Sequence, residues 1–164
     1  MSKDTIEPGQ PLETREDSRL AALHIAENVR RELLIFTRDL EPAVLDQADF
    51  LEAIRQFVIR SRHTQLRVLV QDATRAIREG HGLVRLATRV SSHVSLHRPH
   101  PDDASQAEAF IVADDRAYLY RPLADRLEGR WNSYDPPEAR ALAKRFQTLW
   151  DRSKPEPEFR RLGV

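Results

Sequence analysis

The chain has 164 residues, 40% hydrophobic and 32% charged, which is enough for one soluble globular domain with a core. It has no cysteine, so disulfides, thiol catalysis and zinc–thiolate sites are excluded. The formal net charge is zero, which argues against a dominant surface for nucleic acid or anionic membranes. No apolar run approaches the roughly 18 residues of a membrane span, and no signal-peptide pattern is present. We therefore expect a cytoplasmic protein that binds neither membrane nor nucleic acid.

The composition along the chain predicts three segments. Residues 1–15 mix two prolines and a glycine with charged residues, which indicates a flexible N-terminal arm. Residues 16–153 carry the periodic apolar patterns of a single α/β domain. Residues 154–164 contain two prolines among polar residues and are predicted to form a C-terminal tail.

The first half of the domain alternates between helical and strand patterns. From Glu16, apolar residues recur every three or four positions and predict an amphipathic helix. Residues 33–36 form a compact apolar run, the first predicted strand, and Asp46 is predicted to cap the next helix. The buried face of that helix is predicted to be Phe50, Ile54, Phe57 and Val58. Residues 66–70 are the second predicted strand.

The second half adds a hairpin and a long final helix. Asp72 is predicted to cap a short helix that Gly80 closes, and a further helix and a strand at residues 94–98 follow. Residues 109–122 place two apolar runs on either side of a polar tip, which is typical of a β-hairpin. Residues 135–138, Asp-Pro-Pro-Glu, combine a cap with prolines in the opening turn and predict the final helix.

This order of elements, α-β-α-β-α-α-β-β-β-α, predicts an α/β fold. Helices between the early strands imply parallel neighbours with right-handed crossovers, and the hairpin adds antiparallel strands. Residues 110–112 are apolar at consecutive positions, which indicates a strand covered on both faces. We predict a mixed, mostly parallel sheet flanked by helices.

Polar residues follow the predicted strands, and ligands of open α/β sheets bind beyond the carboxyl ends of strands. The predicted ligand-binding residues are Arg38, Asp39, Gln71, Asp72, His81 and Arg121. The arginines would hold an anionic group through bidentate hydrogen bonds. No catalytic residue is assigned from the pattern alone.

Each of these residues also has a structural alternative. Asp72 can cap a helix, and Arg38 can pair with Asp39 across the loop. His81 can be a surface-turn histidine, and Arg121 can pair with a nearby carboxylate. No metal or cofactor is expected, because the histidines lack an H-x-x-x-H spacing and the five glycines are scattered. The basic residues between positions 60 and 67 are predicted to form a solvated face.

The hairpin resembles the phospholipase D-like fold in its hydrophobic rhythm and in the Asp at its strand end. The signature of that fold is a His-x-Lys pair on a central strand, an Asp beyond it and a Gly-Ser-x-Asn turn. If Asp114 takes the Asp position, Ala109 stands where the Lys belongs and Ala107 where the His belongs. Shifting the alignment by one residue puts Phe110 and Glu108 there instead.

The resemblance therefore implies one half of that fold without its chemistry. In those enzymes the His is the nucleophile toward phosphorus and the Lys holds the phosphoryl oxygens. Residues 120–123, Tyr-Arg-Pro-Leu, occupy the place of Gly-Ser-x-Asn. Because the active site of that fold is made from two copies, the resemblance also implies a homodimer.

Four other stretches resemble an uncharacterised bacterial family, namely residues 35–39, 80–81, 118–122 and 159–162. In that family the domain stands alone or follows a GNAT-type acetyltransferase domain. The resemblance implies an acetyltransferase as a candidate partner and is silent on activity.

Three functional hypotheses remain open. The leading one is a non-catalytic phospholipase D-like domain with a regulatory role that binds an anionic, phosphate-containing small molecule or a protein partner. The second is an enzyme of another class that uses His81 as acid or base, oriented by Asp39 or Asp72. The third is a homodimeric protein-interaction module.

Overall fold

The computed structural model describes residues 5–162, with side chains placed through residue 159. Its helices are α1 (Arg15–Asn28), α2 (Pro42–Leu45), α3 (Ala48–Ile59), α4 (Thr74–Arg78), α5 (Gly82–Arg89), α6 (Pro136–Asp151) and α7 (Pro157–Leu162). Its strands are β1 (Glu32–Thr37), β2 (Gln65–Val70), β3 (Val94–Arg98), β4 (Ala109–Ala113), β5 (Ala117–Arg121), β6 (Arg130–Asn132) and β7 (Lys154–Pro155). No helix in the described part of the chain is long and apolar enough to span a membrane.

The seven strands form one sheet in the order β6-β5-β4-β1-β2-β3-β7. Strands β1, β2 and β3 are parallel, and every other neighbouring pair is antiparallel. The predicted α/β class with a mixed sheet between helices is confirmed. Antiparallel pairs are nonetheless the more frequent ones, because the short strands β6 and β7 add antiparallel edges that carry no clear strand pattern.

Helices cover both faces of this sheet. Helices α1, α3 and α5 lie on one face, with alternate residues of the central strands such as Ile35 and Val68 in the larger core. Helix α6 covers the other face, where Phe146 packs near Phe36 and Phe110. Strand β4 is buried along its whole length, as its unbroken apolar run predicts.

The predicted hairpin between β4 and β5 is present, and its turn is tied to the start of β1. Asp114 and Asp115 both have a positive φ, 55° and 56°, a conformation in which aspartate is better tolerated than most residues. The Asp114 carboxylate accepts hydrogen bonds from the backbone N–H groups of Arg30, Arg31 and Glu32 at 2.8–2.9 Å. One side chain thus fixes the tip of the hairpin against the neighbouring strand.

Of the three predicted helix caps, Asp135 stands at the cap position of its helix, whereas Ala73 and not Asp72 stands at the cap position of α4. Asp135 accepts from the N–H of Glu138 at the start of α6, and Asp72 accepts from the N–H of Thr74 at the start of α4. The prediction for Asp46 is wrong. A short helix, α2, fills the preceding segment, so Gln47 takes the cap position of α3, and the Asp46 carboxylate accepts from the N–H of Gly82.

The described parts of the predicted N-terminal arm and C-terminal tail are packed against the domain. Leu12 is 1% exposed and exchanges two backbone hydrogen bonds with Gly129, and Ile6 is also buried. At the other end, β7 pairs with β3 and Glu156 is buried behind it. Residues 1–4 and 163–164 of those predicted segments lie outside the described residues.

Candidate functional site

The carboxyl ends of β1, β2 and β3 meet at one edge of the sheet, which we call the rim. Strand β5 also ends there, because two antiparallel steps through β4 restore the direction of β1. The N–H of Gln71 donates to the carbonyl of Thr37, and the N–H of Asp72 donates to the carbonyl of Arg38. The loops after β1 and β2 therefore run side by side, as the parallel pairing predicts.

Arg121 lies at the rim but is committed to protein groups. It is 4% exposed, and its Nη1 donates to both carboxylate oxygens of Glu41 at 2.5 and 2.6 Å. Its Nε and Nη2 donate to the carbonyls of Ala124 and Arg126. The structure therefore contains the structural alternative given for Arg121, a pair with a nearby carboxylate.

His81 is likewise a structural residue, though not a surface one. It is 2% exposed; its Nδ1 accepts from the N–H of Leu83, so Nε2 carries the proton and donates to the carbonyl of Leu40 at 2.7 Å. Burial lowers its pKa, which favours the neutral ring. Because both nitrogens are bound by backbone, no nitrogen is left for acid–base chemistry with Asp39 or Asp72.

These two residues fix the β1–α2 loop, which carries Arg38 and Asp39. Leu40 has a φ of 66°, unusual for a bulky residue, and its N–H donates to Thr37 Oγ1. His81 holds the Leu40 carbonyl, and Arg121 holds the adjacent Glu41. A strained loop conformation persists only when its surroundings enforce it, and three side chains do so here.

The remaining four predicted residues lie at the rim, and they differ in how far their side chains are bound by other protein groups. Arg38 is exposed and makes no ion pair with any described carboxylate, so the predicted Arg38–Asp39 pair is not formed; Asp39 caps the N–H of Glu41 instead. Gln71 donates to the carbonyl of Gln106 at 2.6 Å.

Hydrogen bonding to Thr74 lowers the pKa of the exposed Asp72, and the nearby Arg98 lowers it further.

A polar cluster beside the rim was not apparent from the sequence. Glu108 is 8% exposed, accepts from Tyr120 Oη at 2.9 Å and forms an ion pair with Arg145 of α6. Burial and the contact with Glu108 raise the pKa of Tyr120. Arg130 stacks on the Tyr120 ring with its guanidinium 4.5 Å from the centroid. No local pattern joins these residues, since they lie on three separate elements.

The positions that the phospholipase D resemblance singles out lie close to Arg121. Ala109 is directly opposite Arg121 in the β4–β5 register, so both side chains lie on the same sheet face. The space beside them is a cavity of only about 20 Å³, which also touches Ser18 and Glu41. Such a space suits one water molecule and no organic ligand. Among residues 5–159, no cluster of three or more His, Asp or Glu side chains could hold a metal ion.

Comparison with solved structures defines the fold. The chain is similar to Nuc, a phospholipase D family member from Salmonella typhimurium, with 10% identity, a TM-score of 0.58 and coverage of 84% of this chain and 90% of that one. It is similar to NucT from Helicobacter pylori, with 8% identity, a TM-score of 0.57 and coverage of 87% and 92%. The protein therefore has a phospholipase D-like fold.

A third similar structure is that of TrmBL2, an archaeal chromatin protein with a novel mode of DNA binding. The identity is 12%, the TM-score is 0.66, and the match covers 94% of this chain. This chain spans a little over half, 56%, of the TrmBL2 chain. At this identity the similarity concerns the fold alone.

The sequence gives a more specific assignment than the fold. The chain belongs to the family described as Domain of unknown function (DUF7931), whose model matches residues 14–162. No curated protein sequence matches it at a significant level.

Proposed function

We propose that the protein is a non-catalytic phospholipase D-like domain with a regulatory role, which binds a small anionic or phosphate-containing ligand at the rim. The observation that carries this proposal is Arg38, an exposed cation without a carboxylate partner among the described residues, on a loop held by three buried contacts. A guanidinium on a fixed backbone suits bidentate recognition of phosphate or carboxylate. Gln71 would complete the site, while Asp39 and Asp72 would select against highly charged anions.

The residues at the positions that the resemblance assigns to the His and Lys support a binding role. By resemblance, the nucleophilic His and the phosphate-binding Lys would stand at Ala107 and Ala109. Neither alanine can attack phosphorus or hold its oxygens. Arg121, the cation nearest to Ala109 across the register, has its donors engaged by Glu41 and two carbonyls. In the one-residue-shifted alignment, Glu108 is held by Tyr120 and Arg145, and Phe110 has no group that could hold a phosphoryl oxygen.

A homodimer is the second candidate, because phospholipase D-like halves pair through the edge that carries the active site. Leu123 and Leu127, in the loop after β5, are 47% and 38% exposed beside the rim, which favours a contact there. Sedimentation velocity over a concentration series tests this, and a monomer at all concentrations would remove it. An acetyltransferase partner stays a prediction from the family resemblance and is tested by co-purification with such an enzyme from the same genome.

The binding site is tested with Arg38→Ala and a matched control. Calorimetric titration with inorganic phosphate, ribose 5-phosphate and nucleoside monophosphates should find a ligand for the wild-type protein. Arg38→Ala should weaken its binding at least about tenfold, the scale of one charged hydrogen-bonded contact. Arg89 is an exposed arginine at the end of α5, at the end of the sheet opposite to the rim, so Arg89→Ala should bind like wild type. Equal affinity of the Arg38 and Arg89 variants would reject the rim site.

A further inference from the structure

A second pocket lies beside the rim, between the end of β3 and the C-terminal segment. It forms because β7 pairs antiparallel with β3, with Lys154 opposite Arg98, while the turn at Pro101–Asp103 lies across from them. The pocket has a volume of about 340 Å³, within the range of pockets that hold small organic ligands. Neither Arg38 nor any other residue of the β1–α2 loop lines it.

The walls of this pocket are rigid and largely apolar. Four prolines line it: Pro99, Pro101, Pro155 and Pro157. Each proline ring fixes its own φ, so the walls lose little conformational entropy when a ligand binds. The flat faces of such rings suit contact with a flat apolar group. The pocket is therefore preformed for a compact hydrophobic group of a ligand.

The polar part of the lining contains three cations and no carboxylate. Arg98, Arg152 and Lys154 line the pocket together with His100, and no Asp or Glu does. Arg98 is oriented by the buried carboxylate of Glu156, which accepts from Nε and Nη2 at 3.3 and 3.0 Å. Arg152 is oriented by Asp103 at 3.2 Å and by the exposed Asp102 at 3.3 Å. Both arginines are thus held in place by carboxylates that do not themselves line the pocket.

Lys154 differs from the two arginines. Its side chain is exposed and forms no ion pair with a carboxylate among residues 5–159. An ammonium group at the edge of an apolar pocket, without a protein counter-ion, favours an anion there. A metal cation is disfavoured, since the lining contains no carboxylate ligand.

We propose that this pocket binds a small organic anion in which a carboxylate or phosphate group is attached to a flat apolar ring. The ring lies against the prolines, and the anionic group contacts Lys154, with Arg98 and Arg152 adding donors. The proposal does not depend on the rim site, because the two sites share no residue. Its ligand class is narrower than that of the rim, since inorganic phosphate alone leaves the proline walls uncovered.

The test uses the full chain and three probes: benzoate, phenyl phosphate and inorganic phosphate. Binding is followed by the chemical shifts of the backbone N–H groups of Arg98, His100, Ser153, Lys154 and Glu156, because the prolines of the pocket have none. We expect a ring-bearing probe to bind at least about tenfold more tightly than inorganic phosphate and to shift these amides. Preference for benzoate or for phenyl phosphate identifies the anionic group. Equal binding of inorganic phosphate, or no binding of any probe, would overturn the proposal.

Variants locate the binding. Lys154→Ala should weaken the binding of the ring-bearing probe about tenfold. Lys144 is an exposed lysine on α6, and Lys144→Ala should leave this affinity unchanged. Both side chains are exposed, so both variants should keep the wild-type circular dichroism spectrum. Arg38→Ala should also bind the probe normally. Loss of binding in Arg38→Ala with retention in Lys154→Ala would place the ligand at the rim, which would overturn this inference and leave the proposed function standing.

Discussion

Arg121 is a residue that could bind an anion, but its side-chain donors are bound by other groups of the protein. Its guanidinium neutralises Glu41 and satisfies two loop carbonyls, so it holds the β5–β6 loop and the β1–α2 loop together. Its position after a strand was predictable, but its partners were not, since Glu41 lies 80 residues earlier. The same holds for His81, whose partner Leu40 is 41 residues away. Sequence position placed both residues near the rim and could not reveal that their donors were occupied.

Replacing Arg121 should therefore reduce stability. Arg121→Ala leaves Glu41 and two carbonyls without a donor, and we expect it to lower the free energy of unfolding by about 3 kcal/mol. Arg121→Lys keeps the charge but has fewer donors, so its loss should be intermediate. Urea unfolding measures both against Arg89→Ala, which should lie within about 0.5 kcal/mol of wild type. Equal midpoints for Arg121→Ala and Arg89→Ala would show that the pair contributes nothing.

His81 should make stability depend on pH. Burial lowers its pKa below the ordinary value of 6.5, although Asp46 and Asp39 oppose this and Arg85 supports it. Below pH 6.5 the unfolded chain takes up a proton that the folded protein resists, so stability is complete above 6.5 and falls as the pH drops toward the folded pKa. Urea unfolding at about pH 7.5 and about pH 5.5 should show this loss, and His81→Gln should show a smaller one. An unchanged pH slope in the variant would assign the loss to other groups.

At the scale of the element, strongly patterned segments were predictable and short ones were not. The runs that became β1, β2 and β4 are apolar at consecutive positions, because the sheet is covered on both faces. Strands β6 and β7 have three and two residues, too few for a pattern, and exist because they pair with β5 and β3. Tertiary pairing thus created the edges of the sheet and turned the predicted tail into one wall of a pocket.

The hairpin turn provides a test at this scale with a built-in control. Asp114 and Asp115 have nearly equal φ angles, 55° and 56°, so alanine at either position incurs a similar backbone cost. Asp114 alone binds three backbone N–H groups of the β1 entry. Asp114→Ala should therefore cost about 2 to 4 kcal/mol and Asp115→Ala about 1 kcal/mol in thermal or urea unfolding. Similar losses of unfolding free energy in the two variants would mean that the carboxylate contacts of Asp114 do not contribute to stability.

At the scale of the whole molecule, the fold predicts where polar loops gather but not what they bind. Parallel strands bring the residues after β1 and β2 together at the rim, and that followed from the order of elements alone. The Glu108–Tyr120–Arg145 cluster and the proline pocket depend on contacts between α6 or the C-terminal segment and the sheet. Such contacts join residues that are distant in the sequence, so no local sequence pattern predicts them.

The clearest prediction at this scale concerns catalysis. The resemblance places Ala107 and Ala109 at the reactive positions, where neither can attack phosphorus or hold its oxygens, and Arg121 beside them is held by Glu41. We expect no hydrolysis of bis(4-nitrophenyl) phosphate above the uncatalysed rate, with an active phospholipase D family nuclease as the positive control. Ala107→His with Ala109→Lys should also stay inactive, because the Arg121–Glu41 pair still fills the adjacent space. Turnover by the wild-type protein that follows the protein through size-exclusion chromatography would show that the scaffold retained its chemistry through residues other than these.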